Sequence, residues 1–150
     1  MTGAVPARMV LDTNVLSELL RAEPNAQVLA WVAAQPPDRL FISVVTQAEM
    51  LLGARLLPAG KRRTLLEAAL HAMFDEDFAG RVLAFDSAAA AHYAEVVARR
   101  RAAGRPVAQF DAQIAATALA CGCGLVTRNL SDFEACGLTL IDPWRVNVRR

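Results

Sequence analysis

The sequence predicts an α/β fold: a single domain built on a mostly parallel central sheet of about five strands, with helices on both faces. Three observations carry that expectation. Short apolar runs alternate with stretches of helical periodicity along the chain. The 150 residues are 55% hydrophobic, enough apolar material for one buried core. No internal repeat, linker or low-complexity segment interrupts the alternation.

The first apolar run, residues 9–11, ends on Asp12, and residues 13–21 then place Val15, Leu16, Leu19 and Leu20 on one helical face. A second helix fits residues 26–34, with Val28, Leu29 and Val32 inward. Pro36 and Pro37 end it, because proline brings no amide donor. Residues 40–45 read as a buried strand. From Thr46 a helix runs to about Leu57, closed by Pro58 and Gly60. Residues 61–78 are helical again, with Leu65, Leu66, Ala69, Leu70 and Met73 on one side. Residues 82–85 form a third strand, and Asp86-Ser87 caps a helix carrying Ala90, Tyr93, Val96 and Val97 that stops near Gly104-Arg105-Pro106. The alanine-rich stretch 107–120 is a buried helix ended by Gly122 and Gly124; residues 125–127 and 138–141 supply the last two strands. The domain covers residues 9–146, preceded by an extension (1–8) expected to be flexible and followed by a basic tail (147–150). Met1 and Met9 are both candidate starts.

Charged residues are 21% of the chain and the net charge is +1, which excludes a disordered chain and a strongly basic surface, so any nucleic-acid partner must be held locally. Residues 1–8 contain Gly3 and Pro6 and lack the apolar stretch of a signal peptide, so a cytoplasmic location is expected. The most apolar segment, residues 114–126, is shorter than the roughly 20 residues of a membrane span, and no contact with a membrane is expected. Cys121 and Cys123 flank one glycine, without the two-residue spacing of redox or zinc sites, and with Cys136 they read as buried reduced thiols. His71 and His92 fall in helical patterns far apart along the chain.

In open α/β sheets, ligands bind outside the carboxyl ends of the strands. Asp12 ends the first strand, Glu49 lies one turn into the helix after the second, Asp111 begins the alanine-rich helix and Asn129 follows the fourth strand. Converging carboxylates repel unless a cation neutralises them, and hard oxygen donors suit Mg²⁺ or Mn²⁺ better than zinc. Each acid also has a purely helical explanation. Asp12 is a good N-cap, Glu49 completes a capping box in Thr46-Gln47-Ala48-Glu49, and Asp111 suits the positive end of a helix dipole. Only their coincidence at one sheet edge favours chemistry.

The strings Val10-Leu11-Asp12-Thr13-Asn14-Val15-Leu16-Ser17-Glu18, Ser43-Val44-Val45-Thr46-Gln47-Ala48-Glu49 and Phe110-Asp111-Ala112-Gln113-Ile114-Ala115-Ala116-Thr117-Ala118 resemble PIN-domain ribonucleases of the VapC and FitB toxin type. Thr127-Arg128-Asn129 and Asp142-Pro143-Trp144 extend the likeness, which runs from about Met9 to Trp144. The resemblance implies a single PIN-like domain and a Mg²⁺-dependent endoribonuclease, with Mn²⁺ able to substitute. It implies the toxin of a type II toxin–antitoxin module, held inactive by a cognate antitoxin. By the same resemblance Asp12, Glu49 and Asp111 are the metal-binding and catalytic acids, and Thr13, Asn14 and Thr127 line their pocket. Asn129 departs from the family, many of whose members have aspartate there. An amide offers an oxygen without charge, and Asp132 is a candidate substitute, with capping of residues 133–136 as its other reading.

Phosphodiester hydrolysis needs an activated water and a stabilised developing charge, both within the reach of Mg²⁺. No histidine or lysine adjoins these acids in sequence, which disfavours a metal-free ribonuclease. Arg128 adjoins the proposed site and is the expected RNA contact. Lys61-Arg62-Arg63, Arg99-Arg100-Arg101 with Arg105, and Arg149-Arg150 read first as solvated surface. Trp31 and Trp144 read as core anchors, and the aromatics are too few for a base-stacking platform. The apolar helices of residues 26–78 exceed what a small sheet must bury. They suggest a homodimer, with a higher toxin–antitoxin assembly as an extension, and a groove for an antitoxin helix. Two other classes compete. One is a catalytically weakened PIN-fold RNA- or protein-binding module. The other is a phosphatase using Asp12 as nucleophile, which needs an aspartate where Asn14 stands.

Overall fold

The computed structural model describes residues 4–145 and 147–149. The strands are β1 (Met9–Leu11), β2 (Leu40–Ser43), β3 (Val82–Leu83), β4 (Gly124–Val126), β5 (Leu140–Asp142) and β6 (Asn147–Arg149). The helices are α1 (Thr13–Leu19), α2 (Ala26–Ala33), α3 (Val44–Arg55), α4 (Lys61–Ala72), α5 (Ser87–Ala102), α6 (Gln109–Ala120) and the short α7 (Leu130–Phe133). The sheet order is β3-β2-β1-β4-β5-β6, with the first five strands parallel, as the alternation of strands and helices requires. Asn147–Arg149, assigned above to a basic tail, instead pairs antiparallel with β5. Its three residues carry no apolar run that would mark a strand in sequence. Arg150 lies outside the described residues.

The central strands are buried on both faces, which is why they read as continuous apolar runs. Their side chains alternate between two cores. Met9, Leu11, Ile42, Val126 and Ile141 join Val15, Leu16, Val28, Met50 and Leu70 of α1–α4 on one face. Val10, Leu125 and Leu140 join Val96, Ile114, Ala115 and Ala118 of α5 and α6 on the other. Gly122, at φ 65°, ends α6 in the left-handed region; Gly122 N donates to the Leu119 carbonyl and Cys123 N to that of Ala118.

One local expectation changes. Helix α3 starts at Val44, earlier than the Thr46 start read from sequence, because Ser43 is extended and its Oγ accepts the Thr46 amide at 3.0 Å. Ahead of β1, Pro6 and Arg8 pass close to Gly124 at the start of β4. The Arg8 carbonyl accepts the Gly124 amide at 2.9 Å, and a Cβ on Gly124 would come within 2.6 Å of the Pro6 ring. Residues 1–3 lie outside the described residues. Cys123 and Cys136 are buried free thiols, and Cys121 is half-buried. Among the described residues no helix is long and apolar enough to cross a membrane.

From β1 the chain winds through β2 to β3 on one side, and from β4 to β5 on the other. The winding therefore reverses between β1 and β4, which lie side by side. The crevice of such a sheet opens outside the carboxyl ends of those two strands, where Asp12 and Thr127 stand.

Candidate active site

Asp12 leaves β1 with its amide bonded to the Val126 carbonyl of β4 at 2.9 Å, so its position is set by the sheet. It does cap α1, since Oδ1 accepts the Thr13 amide at 2.8 Å. Its other oxygen points across the strand ends: Oδ2 accepts the Thr127 hydroxyl at 2.8 Å and the Asn14 amide group at 3.3 Å. The Thr127 hydrogen is thereby committed to Asp12, and Thr127 Oγ1 in turn accepts from Asn14 Nδ2 and the Asn129 amide. Asn14 Oδ1 accepts the Arg128 amide at 3.3 Å, closing a network between the ends of β1 and β4.

A second network fixes Glu49. Each hydroxyl has one hydrogen, and Thr13 gives its own to Glu49 Oε1 at 2.9 Å. Thr46 must then donate in the 3.0 Å contact to Thr13, and Ser43 donates to Thr46 at 3.4 Å. The relay runs Ser43, Thr46, Thr13, Glu49, every hydrogen pointing toward the carboxylate. The capping-box explanation of Glu49 is overturned here, because Ser43 caps α3 and Glu49 turns to Thr13.

Asp111 sits in the first turn of α6, half-buried, and no hydrogen bond among the described residues reaches its carboxylate. It faces Asp12 and Glu49 across a hollow of about 520 Å³ that Thr13, Asn14, Arg128 and Asn129 also line. Thr127 is fully buried beneath the floor and acts on the hollow through Asp12. Asp132 is not in the wall. It is exposed on α7, inside the helix and not at its cap, because Phe133 takes the buried face. Its charge is nonetheless felt at Asp111.

The electrostatics show three acids in one field. Burial, against the hydrogen bonds from Thr127 and Thr13, pushes the Asp12 carboxyl up from 3.8 to about 6, with the charges of Asp111 and Glu49 adding to the rise. The Asp111 carboxyl is also raised, first by burial and then by Asp132 and Glu49. The donors are all oxygens, which suits a hard cation. Among the described residues no three acidic, histidine or cysteine side chains stand close enough together to enclose a metal ion by themselves.

Four wall residues fall outside the sequence-derived set: Ser17, Glu18, Arg21 and Trp144. The first three continue the face of α1 begun at Asn14, a polar stripe at spacings of three and four that was readable in sequence. Glu18 is buried and accepts the Asn25 amide at 3.2 Å, tying α1 to α2. Trp144, read as a core anchor, packs partly on the core and also reaches the rim of the hollow.

A family model described as PIN domain matches residues 9–135. The chain is 46% identical to VapC ribonuclease Y4jK of Sinorhizobium fredii over 136 residues, covering 91% of this chain and 97% of the relative. It is 38% identical to Toxin FitB of Neisseria gonorrhoeae, covering 91% and 98%. The crystal structure of FitAcB from Neisseria gonorrhoeae superimposes with a TM-score of 0.86 at 38% identity, over 91% of this chain and 98% of that one.

Proposed function

The chain belongs to the PIN-domain family, and from that premise we propose that it is a Mg²⁺-dependent endoribonuclease, the toxin of a type II toxin–antitoxin module. The observation that carries the reading is the convergence of Asp12, Glu49 and Asp111 on one hollow at the switch point of the sheet, with the Asp12 carboxyl raised to about 6. Buried acids in mutual repulsion are a poor design for stability and a good one for holding a cation.

When bound, Mg²⁺ or Mn²⁺ supplies a Lewis acid that makes water nucleophilic and stabilises charge on the phosphate. The chain's residues prepare the place. Thr127 and Thr13 hold the Asp12 carboxylate in one rotamer, and the hydroxyl relay through Thr13 orients Glu49. Asp111, without a hydrogen-bonded partner among the described residues, is available to an ion or to the attacking water. Asn129 brings a neutral amide to the same wall, and Arg128 brings positive charge for the RNA backbone.

An apolar groove of about 860 Å³ between α1, α3 and α4, lined by Leu20, Met50, Leu65, Leu66 and Leu70, shares Thr13 and Glu49 with the acidic hollow. A cognate antitoxin segment laid there would reach the active site directly. Leu29, Leu52 and Leu56 remain exposed on the neighbouring helices and suit a homodimer, possible within a larger toxin–antitoxin assembly; sedimentation of the free protein as a dimer checks this. Such a toxin acts in the cytoplasm, where its RNA is.

The test is cleavage of RNA by the purified protein with and without Mg²⁺, beside Asp12→Asn and Asp111→Asn. Each variant is expected to lose at least about a hundredfold in rate. Equal activity in all three proteins contradicts the mechanism.

A further inference from the structure

Trp144 stands half-buried at the rim of the acidic hollow, part of its ring against the core. The turn after β5 places it, with the buried Asp142 carboxylate accepting the Trp144 amide at 2.9 Å. The guanidinium of Arg128 lies over the ring, 5.0 Å from its centroid. Arg128 is exposed and anchored at its backbone by Asn14, the residue that also contacts Asp12. Although Asp12, Glu49 and Asp111 share the hollow, the Arg128 side chain forms no ion pair among the described residues and rests on the indole instead.

This arrangement answers a physical difficulty of the nuclease reading, on which the inference rests. RNA is a polyanion, and the hollow it must enter is lined with carboxylates on a protein of net charge +1. Coulombic attraction to the whole molecule cannot seat it. An aromatic face offers attraction independent of charge, since every base has a π-face to stack on it, and a guanidinium offers paired donors for a phosphate. We propose that Trp144 is the stacking subsite for one unpaired RNA base beside the scissile phosphate, and that Arg128 covers the ring in the free protein. As the base takes the ring, the guanidinium moves to that nucleotide's phosphate. Bases in a duplex are stacked on one another and cannot take the ring, so a fully paired RNA cannot fill this subsite.

The test uses the whole protein in EDTA, so that RNA binds without being cleaved. The probe is an unstructured RNA of about twelve nucleotides of mixed sequence, within the usual reach of a single-strand site. In a Trp31→Phe background, which leaves Trp144 as the remaining indole, this RNA should change the tryptophan fluorescence and a perfectly paired duplex should not. Trp144→Leu should weaken RNA binding about 5- to 100-fold at every salt concentration without altering the salt dependence. Trp144→Phe, which keeps a ring, should restore most of the loss and controls for folding. Arg128→Ala should reduce the slope of log affinity against log salt by about 0.7, the signature of one lost phosphate contact on a single strand. If the parent binds RNA but Trp144→Leu binds equally well, or duplex and single strand change the fluorescence alike, the subsite is refuted and the nuclease reading stands. If the parent neither binds nor cleaves any RNA, the nuclease reading fails and the subsite with it.

Discussion

The two walls of the hollow are built on different principles. On the β1 side each carboxylate is aimed by a hydrogen bond: Asp12 by Thr13 and Thr127, Glu49, through Oε1, by the relay from Ser43 through Thr46 and Thr13. On the other side, Asp111 lacks a hydrogen-bonded partner among the described residues, Asn129 is bonded through its backbone, and Arg128 rests on an indole. A rigid wall suits a group that must stay in place, and an adaptable wall suits a substrate that arrives and leaves. The groups of the first wall are aimed before anything binds, and those of the second are left to answer what arrives.

The rigidity of the first wall should show most strongly as stored instability. A carboxyl whose pKa is raised on folding holds its proton more tightly in the folded state. Its contribution is fully present below about pH 3.8 and is lost as pH rises to about 6, leaving a constant penalty above that. Roughly two pK units correspond to about 3 kcal/mol. In EDTA, Asp12→Asn is therefore expected to be more stable than the parent at pH 8, by up to about that amount, with the gap closing at pH 4. Denaturant unfolding at the two pH values measures it; a variant no more stable than the parent at pH 8 would show that the burial of Asp12 carries no such cost.

Next in size is the hydroxyl that aims Asp12. Thr127→Val keeps the shape and removes the donor, and should cost about 10- to 100-fold in cleavage or in metal affinity, with Thr127→Ser restoring most of it. Full activity in Thr127→Val would make the bonded wall an incidental feature.

Around Asp111, the neighbouring positions 129 and 132 should respond less. Asn129→Asp adds the charge that the site lacks and should lower the Mg²⁺ concentration for half-maximal cleavage by roughly three- to tenfold. Asp132→Asn should change it by less than about twofold, because Asp132 is exposed and outside the hollow. A larger effect from Asp132 than from Asn129 would reverse the assignment of the fourth corner.

These contrasts also mark how far the sequence could be read. The parallel strands were legible because buried strands are apolar throughout, and the common location of Asp12, Glu49 and Asp111 was legible because each lies beyond the end of a strand or early in the helix that follows. Glu49 looked like a capping partner because Ser43 and Thr46 are both competent caps. Only the extended backbone at Ser43 decides which of them opens α3, and with it which way Glu49 turns. Asp132 was a matter of helix phase: with Phe133 buried, its neighbour must face out. Strand β6 carries no apolar signal, and Trp144 needed the tertiary placement of the turn after β5. What escaped sequence reading was a choice between equivalent local signals or a contact made across the fold.

On the proposed reading, acids from both walls serve one cation. Calorimetric titration of Mn²⁺ into the parent, Glu49→Gln and Asp111→Asn tests it most directly. Each substitution should weaken binding by at least about tenfold, although one acid belongs to the bonded wall and the other to the adaptable one. Mn²⁺ binding to either variant with the affinity of the parent would contradict it.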